Sequence, residues 1–487
     1  MGDHVVFVFL LQVRWQATEG GPLHLFAAFS AVVWLLWLVK VLLSRRYRPW
    51  TEPYHTSTSV VVPVVDEPAE LFRDVLGRIV AQRPTEVIVV LNGPRNPALE
   101  SICDELGVRR RWTPVAGKRN AVRLGVEAAS GEIVVLVDSD TVWTDGTLAE
   151  LVKPFADPRI GGVTTRQRIL QHERCLLTRW ADWLENARAL YMMPAQSVLG
   201  TVGCLPGRTI AFRREILRRV MPRFLTERFL GVFLEVSDDR TLTNLTLRAG
   251  YRTAYQVTSL VYTDAPTTVR RMFRQQLRWA RGSQYNTLRM VPWMLAHAPM
   301  LAAFFVADIA LPFLLFGAIV GWTYRSATGT GVNLYAAMLE AYGVEAGVAR
   351  VVLLAVVASL LSMGVRHLRH LAERPADFVR LPAFILISTL FLMPIRLLGF
   401  FRMAHVSRWG TRAHGYAGTA GSQRIAQPER APGPALVAAG SGGSPRFGPV
   451  DPPTPPPAPR RRRLNPQAAL PYLAGATIIA LEVLHHA

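Results

Sequence analysis

Three short β-branched runs, STSVVVPVV (57–65), TEVIVVLNG (85–93) and GEIVVLVDSD (131–140), each end in a polar turn. Between them lie stretches of helical character, such as 67–80 and 117–129. Near-continuous apolar strands alternating with helices admit few solutions. They predict an α/β fold whose mostly parallel sheet is covered by helices on both faces. The pattern runs from about residue 57 to 265. Ligands of such sheets bind beyond the carboxyl ends of the strands, which is where this chain puts acidic residues.

Apolar segments flank this region. Residues 24–43 are long enough to cross a bilayer, which takes about 20 residues, and RRYR follows directly. The positive-inside rule then places the α/β region in the cytosol. Residues 299–322 and 348–365 are further spans, joined by a loop that carries Glu340 and Glu345. The next segment, RHLRHLAERPADFVR, is basic and is expected inside. Residues 381–401 are apolar but interrupted by Pro382, Pro394 and Arg396. If they crossed, the Arg-rich tail would lie outside, against the rule, so an interfacial or re-entrant helix is expected. The chain therefore divides into an N-terminal span (1–50), a cytosolic domain (51–266) and interfacial helices with a channel region (267–412). A disordered Pro/Gly/Arg-rich linker (413–465) and a last span (466–487) complete it. A multi-pass plasma-membrane protein follows, with half its residues hydrophobic.

The formal net charge of +20 sits largely beside these spans and in the tail, where it suits anionic lipid. No recognition module for nucleic acid accompanies it. The cysteines Cys103, Cys175 and Cys204 lack metal-ligand spacing, and Cys204 reads as a packing residue.

Several motifs carry candidate chemistry. Asp138 and Asp140 end a strand with one residue between them, a spacing from which two carboxylates can converge on a divalent cation. Acidic residues are also common in turns, so the pair alone is weak. In SDDRTLTN, Ser237 reads as an N-cap with Asp238 and Asp239 in the first helical turn, where the dipole favours negative charge. That is a structural reason for both; a carboxylate there can equally act as general base. Arg240 is a partner for an acid or a phosphate. Lys118 and Arg119 open a helix after Gly117, a potential anion site, and Lys118 is one of only three lysines. CLPGRTIAF places Gly207 and Arg208 in a tight turn. FRQQLRWARG (273–282) reads as a short helix with Gln275, Arg278 and Trp279 on one face and Gln276 beside them. Such a face suits a sugar or a diphosphate, and equally a membrane-interface helix.

In this order the motifs resemble the membrane-integrated, processive family-2 glycosyltransferases, above all hyaluronan synthases and their chitin- and cellulose-synthase relatives. The resemblance covers about residues 58–282 and implies a GT-A-like fold. It places Asp66 and Glu67 at the nucleotide base, VDSD at the metal and UDP, and CLPGRTIAFRRE under the acceptor sugar. SDDRTLTN resembles the pattern whose second acid, here Asp239, is the catalytic base. QQLRW matches Q-x-x-R-W, with Gln275 and Arg278 on the diphosphate and Trp279 beside the acceptor. SRWGTR resembles a late element over the active site, bringing Trp409, Thr411 and Arg412. Two departures stand out. Asn92 occupies a position usually held by an acid, leaving an amide for uridine, and one clear N-terminal span replaces the usual two.

The resemblance implies Mg2+ or Mn2+, UDP-sugar donors and a growing polysaccharide acceptor. The expected activity is inverting polymerisation with extrusion. Single transfer to a lipid carrier and an inactive polysaccharide-binding scaffold are the alternatives.

Overall fold

The computed structural model describes residues 23–328 and 340–404, apart from Ala116 and Glu235. Ten strands form in chain order: β1 (Thr58–Val64), β2 (Glu86–Asn92), β3 (Arg109–Thr113), β4 (Ile133–Val137), β5 (Val142–Trp143), β6 (Ile160–Ile169), β7 (Thr209–Arg213), β8 (Arg228–Phe229), β9 (Val232–Phe233) and β10 (Arg252–Thr263). Eight of them build one sheet in the order β3-β2-β1-β4-β7-β6-β10-β5, while β8 and β9 form a separate ribbon. β1 runs parallel to β2 and β4, and β2 to β3. β7 is antiparallel to both neighbours, whereas β10 is parallel to β6.

The runs are apolar over most of their length, as in Val60–Val64 and Ile133–Val137, because both faces are covered. Val60 and Val62 join a core with Phe72 and Leu99, which come from the first two helices of the domain, Ala69–Ala81 and Pro97–Glu105. Val61 points the other way, into a core with Val122 and Phe224.

 Among the described residues, the helices of nine or more residues are α1 (Leu23–Arg45), α2 (Ala69–Ala81), α3 (Pro97–Glu105), α4 (Lys118–Ala128), α5 (Leu176–Ala187), α6 (Arg214–Leu225), α7 (Asp238–Arg248), α8 (Val269–His297), α9 (Pro299–Thr328), α10 (Val344–Arg366) and α11 (Leu381–Phe401). Fully burying a Val, Leu or Phe side chain contributes about 1.5–3 kcal/mol, so the two cores hold the sheet against the chain entropy of ordering it.

The segment expected as a short helix around 273–282 is the middle of α8, 29 residues long. Its buried stripe, through Met272, Gln276, Tyr285, Met290 and Met294, continues at helical spacing well past Trp279, so nothing ends the helix there.

Among the described residues, four helical segments, Ala28–Arg45, Pro299–Gly321, Val344–Arg366 and Leu381–Phe401, are long and apolar enough to cross a membrane. The last of these is α11. Leu381 and Phe384 at its start pack with Trp180 and Trp183 of α5 and with Met272. Phe400 at its end packs with Leu234 and Tyr285, and Gly399 lies against Ala280. Both ends of a helix about 31 Å long therefore touch the α/β domain or α8, and α11 runs alongside α8. The basic connector before it is docked on the domain too. Arg374 and Arg168 bind Asp182, and buried His370 bridges Asn186 and Asp377.

Candidate active site

The carboxyl ends of β1, β2 and β4 lie together, with Val64 paired to Leu91 and Val61 to Leu136. From β1 the chain builds outward through β2 and β3, then returns to place β4 on the other side of β1. That reversal opens a crevice at the strand ends. Asp138 and Asp140 enter it directly after β4, both buried.

Lys118, the first residue of α4, donates from Nζ to Asp138 Oδ1 at 2.5 Å. Gly117 before it has φ 148°, a conformation strained for any residue with a Cβ. Its N–H donates to Asn92 Oδ1 at 3.1 Å, while Asn92 Nδ2 donates to Val64 O at 2.9 Å. Asn92 was expected to offer its amide to uridine; the structure turns the amide inward, where it ties β1, β2 and the start of α4 together. Glu67 accepts from Ser139 Oγ at 2.8 Å, and exposed Asp66 accepts from Asn96 Nδ2 at 3.3 Å.

Two expected anion ligands also face inward. Arg119 is 4% exposed and donates to Asp238 Oδ1 (2.7 Å), Glu227 Oε2 (3.0 Å) and Phe224 O (2.7 Å). Lys118 and Arg119 are neighbours on a helix and so point to different sides, which puts one in the crevice and the other in the core. Arg240 reaches away from the crevice, to Thr287 Oγ1 at 2.9 Å and Ser283 Oγ at 3.3 Å on α8, with its guanidinium 3.8 Å from the Phe305 ring. Burial holds its pKa below the usual arginine range.

Asp238 and Asp239 both line the recess, with Lys118, Asp138 and Gly207, but Asp238 is held by Arg119. Asp239 Oδ2 accepts from Gly207 N at 3.1 Å, and Oδ1 from Arg240 N at 2.8 Å. Ser237 occupies the N-cap position of α7 but makes no side-chain cap. Its hydroxyl donates instead to Asp239 Oδ1 at 3.3 Å, because its left-handed backbone (φ 62°) aims it there. A Cβ at Gly282 would fall 2.6 Å from that of Ser237, so α8 crosses in contact with the start of α7.

The turn at Gly207–Arg208 connects the two acids. Asp138 N donates to Arg208 O at 3.0 Å, and Arg208 lies 5.7 Å from the ring of Trp279. Trp279 is exposed, while Gln275 and Arg278 are half-buried. Gln276 is buried with its Nε2 at 3.7 Å from Met272 Sδ, on the inward side of α8. Burial pushes the Cys204 thiol up to about 12, which suits packing and not nucleophilic attack. Trp409, Thr411 and Arg412 lie outside the described residues. Sequence reasoning passed over Gln167, Glu185 and Glu227, whose isolated positions in β6, α5 and a loop carry no motif.

Among the described residues no three His, Cys, Asp or Glu side chains cluster as a metal site. Two buried carboxylates at one strand end do fit a hard cation that completes its shell with phosphate oxygens.

The model described as glycosyltransferase like family 2 matches residues 55–282. Residues 55–282, a little under half of the chain, are therefore similar to family-2 glycosyltransferases. The chain is 26% identical over 389 residues to a hyaluronan synthase of Streptococcus pyogenes, covering 77% of this chain and 88% of that protein. It is 31% identical over 248 residues to an N-acetylglucosaminyltransferase of Azorhizobium caulinodans, covering 48% and 62%. A mannosyltransferase from Pyrobaculum calidifontis, solved with GDP-Man and Mn2+, shares the fold at TM-score 0.51 and 22% identity, over 76% of this chain and 98% of that one. The domain is GT-A-like.

Proposed function

We propose that this glycosyltransferase polymerises sugars from UDP-sugar donors into a β-linked polysaccharide and passes the product into the membrane region beyond α8. The observation that carries the reading is the meeting of Asp138, Lys118, Gly207 and Asp239 in one recess, beside the turn that faces Trp279. Donor-side and acceptor-side groups thus share one crevice.

Asp138 and Asp140 would hold a divalent cation, Mg2+ or Mn2+, which would supply positive charge to the donor diphosphate. Lys118 and Arg278 add positive charge where UDP departs, stabilising the charge that develops there. Asp239 accepts the proton of the acceptor hydroxyl. The hydroxyl oxygen forms its bond to the anomeric carbon as the bond to UDP breaks on the opposite side, and UDP leaves with the electron pair. An α-linked donor then gives a β-linked product. Arg119 and Asp238 hold the base helix in place, and Arg240 ties it to α8.

The domain is cytosolic in this reading and the protein sits in the plasma membrane. α11 lies along the membrane interface, supported by its contacts with the domain at both ends. The similarity to a hyaluronan synthase over most of both chains favours a polymer over a single transfer to a lipid carrier.

Washed membranes given labelled UDP-N-acetylglucosamine and UDP-glucuronate, separately and together, test the reading. High-mass product is expected; a single added sugar would support transfer to a carrier. Asp239→Asn is expected to lower transfer by at least about 100-fold, as loss of a general base does, with UDP-sugar binding retained. Binding lost along with transfer would remove Asp239 from the base role.

A further inference from the structure

One buried charged cluster beside the recess takes no part in the chemistry above. Glu185, at the end of α5, is 9% exposed. Its Oε1 lies 3.0 Å from Arg208 Nη1 and its Oε2 3.1 Å from Arg188 Nη1. Arg208 also donates to Gln167 Oε1 at 2.6 Å, and Gln167 Nε2 donates to Pro206 O at 3.1 Å. Gln167 therefore grips both the guanidinium and the backbone of its turn. The same turn touches the donor-side acid through Arg208 O and the base through Gly207 N. Directly after Glu185 the helix widens into a π-helical turn, Arg188–Met192, a feature that concentrates at functional sites.

A purely structural role accounts poorly for this arrangement. Apolar residues of similar volume would fill such a place with no loss of stability, since desolvating a carboxylate and two guanidiniums offsets what their pairing contributes. What the charges do supply is direction. Two anchors fix the Arg208 fork while its guanidinium stays beside the exposed indole of Trp279.

We propose that Glu185 is a positioning residue for the acceptor: it holds Arg208 against Trp279 and so builds the guanidinium–indole corner on which the acceptor sugar rests. The inference rests on the polymerase reading above. A sugar ring packs its C–H face on the indole and accepts hydrogen bonds from the fixed fork, which keeps its hydroxyl in line with Asp239. Glu185 itself touches no reacting atom. Burial alone would raise its pKa, but Arg208 and Arg188 outweigh burial and hold the carboxyl below the usual range, so it stays ionised at neutral pH.

The test compares UDP released with sugar incorporated, in membranes holding the full-length chain. For Glu185→Gln, sugar incorporated per UDP released is expected to fall about tenfold, the effect of losing one charge-assisted hydrogen bond, and products to shorten. Donor KM should move far less than this ratio. Glu185→Gln with Arg188→Gln restores the charge balance but not the anchor, and is expected to stay uncoupled. Recovery of the wild-type ratio in that double variant would reduce Glu185 to a charge-balancing role and overturn the proposal. A proportional fall of UDP release and incorporation in Glu185→Gln would overturn it too. Arg208→Lys keeps the charge without the planar fork; it too should uncouple, and a wild-type ratio there counts against the proposal. Absence of any sugar transfer by the wild-type protein is a separate outcome, which refutes the proposed function itself.

Discussion

Replacing Arg119 with methionine is expected to destabilise the α/β domain while leaving the proposed UDP binding largely intact. Arg119 is buried and serves two carboxylates, Asp238 and Glu227, and one carbonyl, Phe224 O. Removing one partner of a buried pair costs about 3–5 kcal/mol, because the other charge stays buried without compensation. Glu227 keeps two partners, Thr241 Oγ1 at 2.7 Å and Arg289, so the lower end of that range applies. Asp238 is left with no comparable replacement in the core. A loss of about 3 kcal/mol in a domain of this size lowers Tm by roughly 6–12 °C. Thermal unfolding of the detergent-purified variant measures this, with UDP binding followed by calorimetry well below the transition. A variant that melts with the wild type but no longer binds UDP would refute the reasoning and return Arg119 to the anion site that its position at the helix start suggests.

Two further outcomes follow from the packing and the charges. Gly203→Ala is expected to destabilise by about 1–3 kcal/mol, read as a lower Tm, because a Cβ there would fall 2.3 Å from buried Phe305 of α9. Acid should loosen the α5 region as pH falls below about 4.5: burial raises Glu185 and Asp182, but Arg208 and Arg168 outweigh it and hold both carboxyls low. A depressed carboxyl contributes stability that is complete above its unfolded value and is lost as pH drops through the folded one. Tryptophan fluorescence against pH, reporting Trp180 and Trp183 on α5, should therefore show a transition in that window that weakens in the Glu185→Gln, Arg188→Gln variant.

Much of the architecture was legible from local pattern. Near-continuous apolar runs in β1, β2 and β4 require cover on both faces, and the acidic residues at the end of β4 mark the ligand end of such a sheet. The bilayer-length segments were equally plain from hydropathy, and the ordered motifs pointed to sugar transfer. Those signals are periodic or composed of neighbours in sequence, so no tertiary knowledge is needed to read them.

The direction of individual side chains was decided only by the tertiary structure. Lys118 and Arg119 are adjacent and both basic, yet one meets Asp138 in the crevice and the other Asp238 in the core. Asp238 and Asp239 divide in the same way, since only Asp239 reaches Gly207. Glu185 and Glu227 matter through partners from distant parts of the chain, Arg208, Arg119 and Arg289, and no spacing announces a partner that arrives from another element. The path of α11 has the same origin. Its composition suits a span, but its course along α8 is set by the packing of Phe384 and Phe400 at its two ends. Sequence determines which surfaces must be buried; which groups meet when they are buried depends on how the elements close on one another.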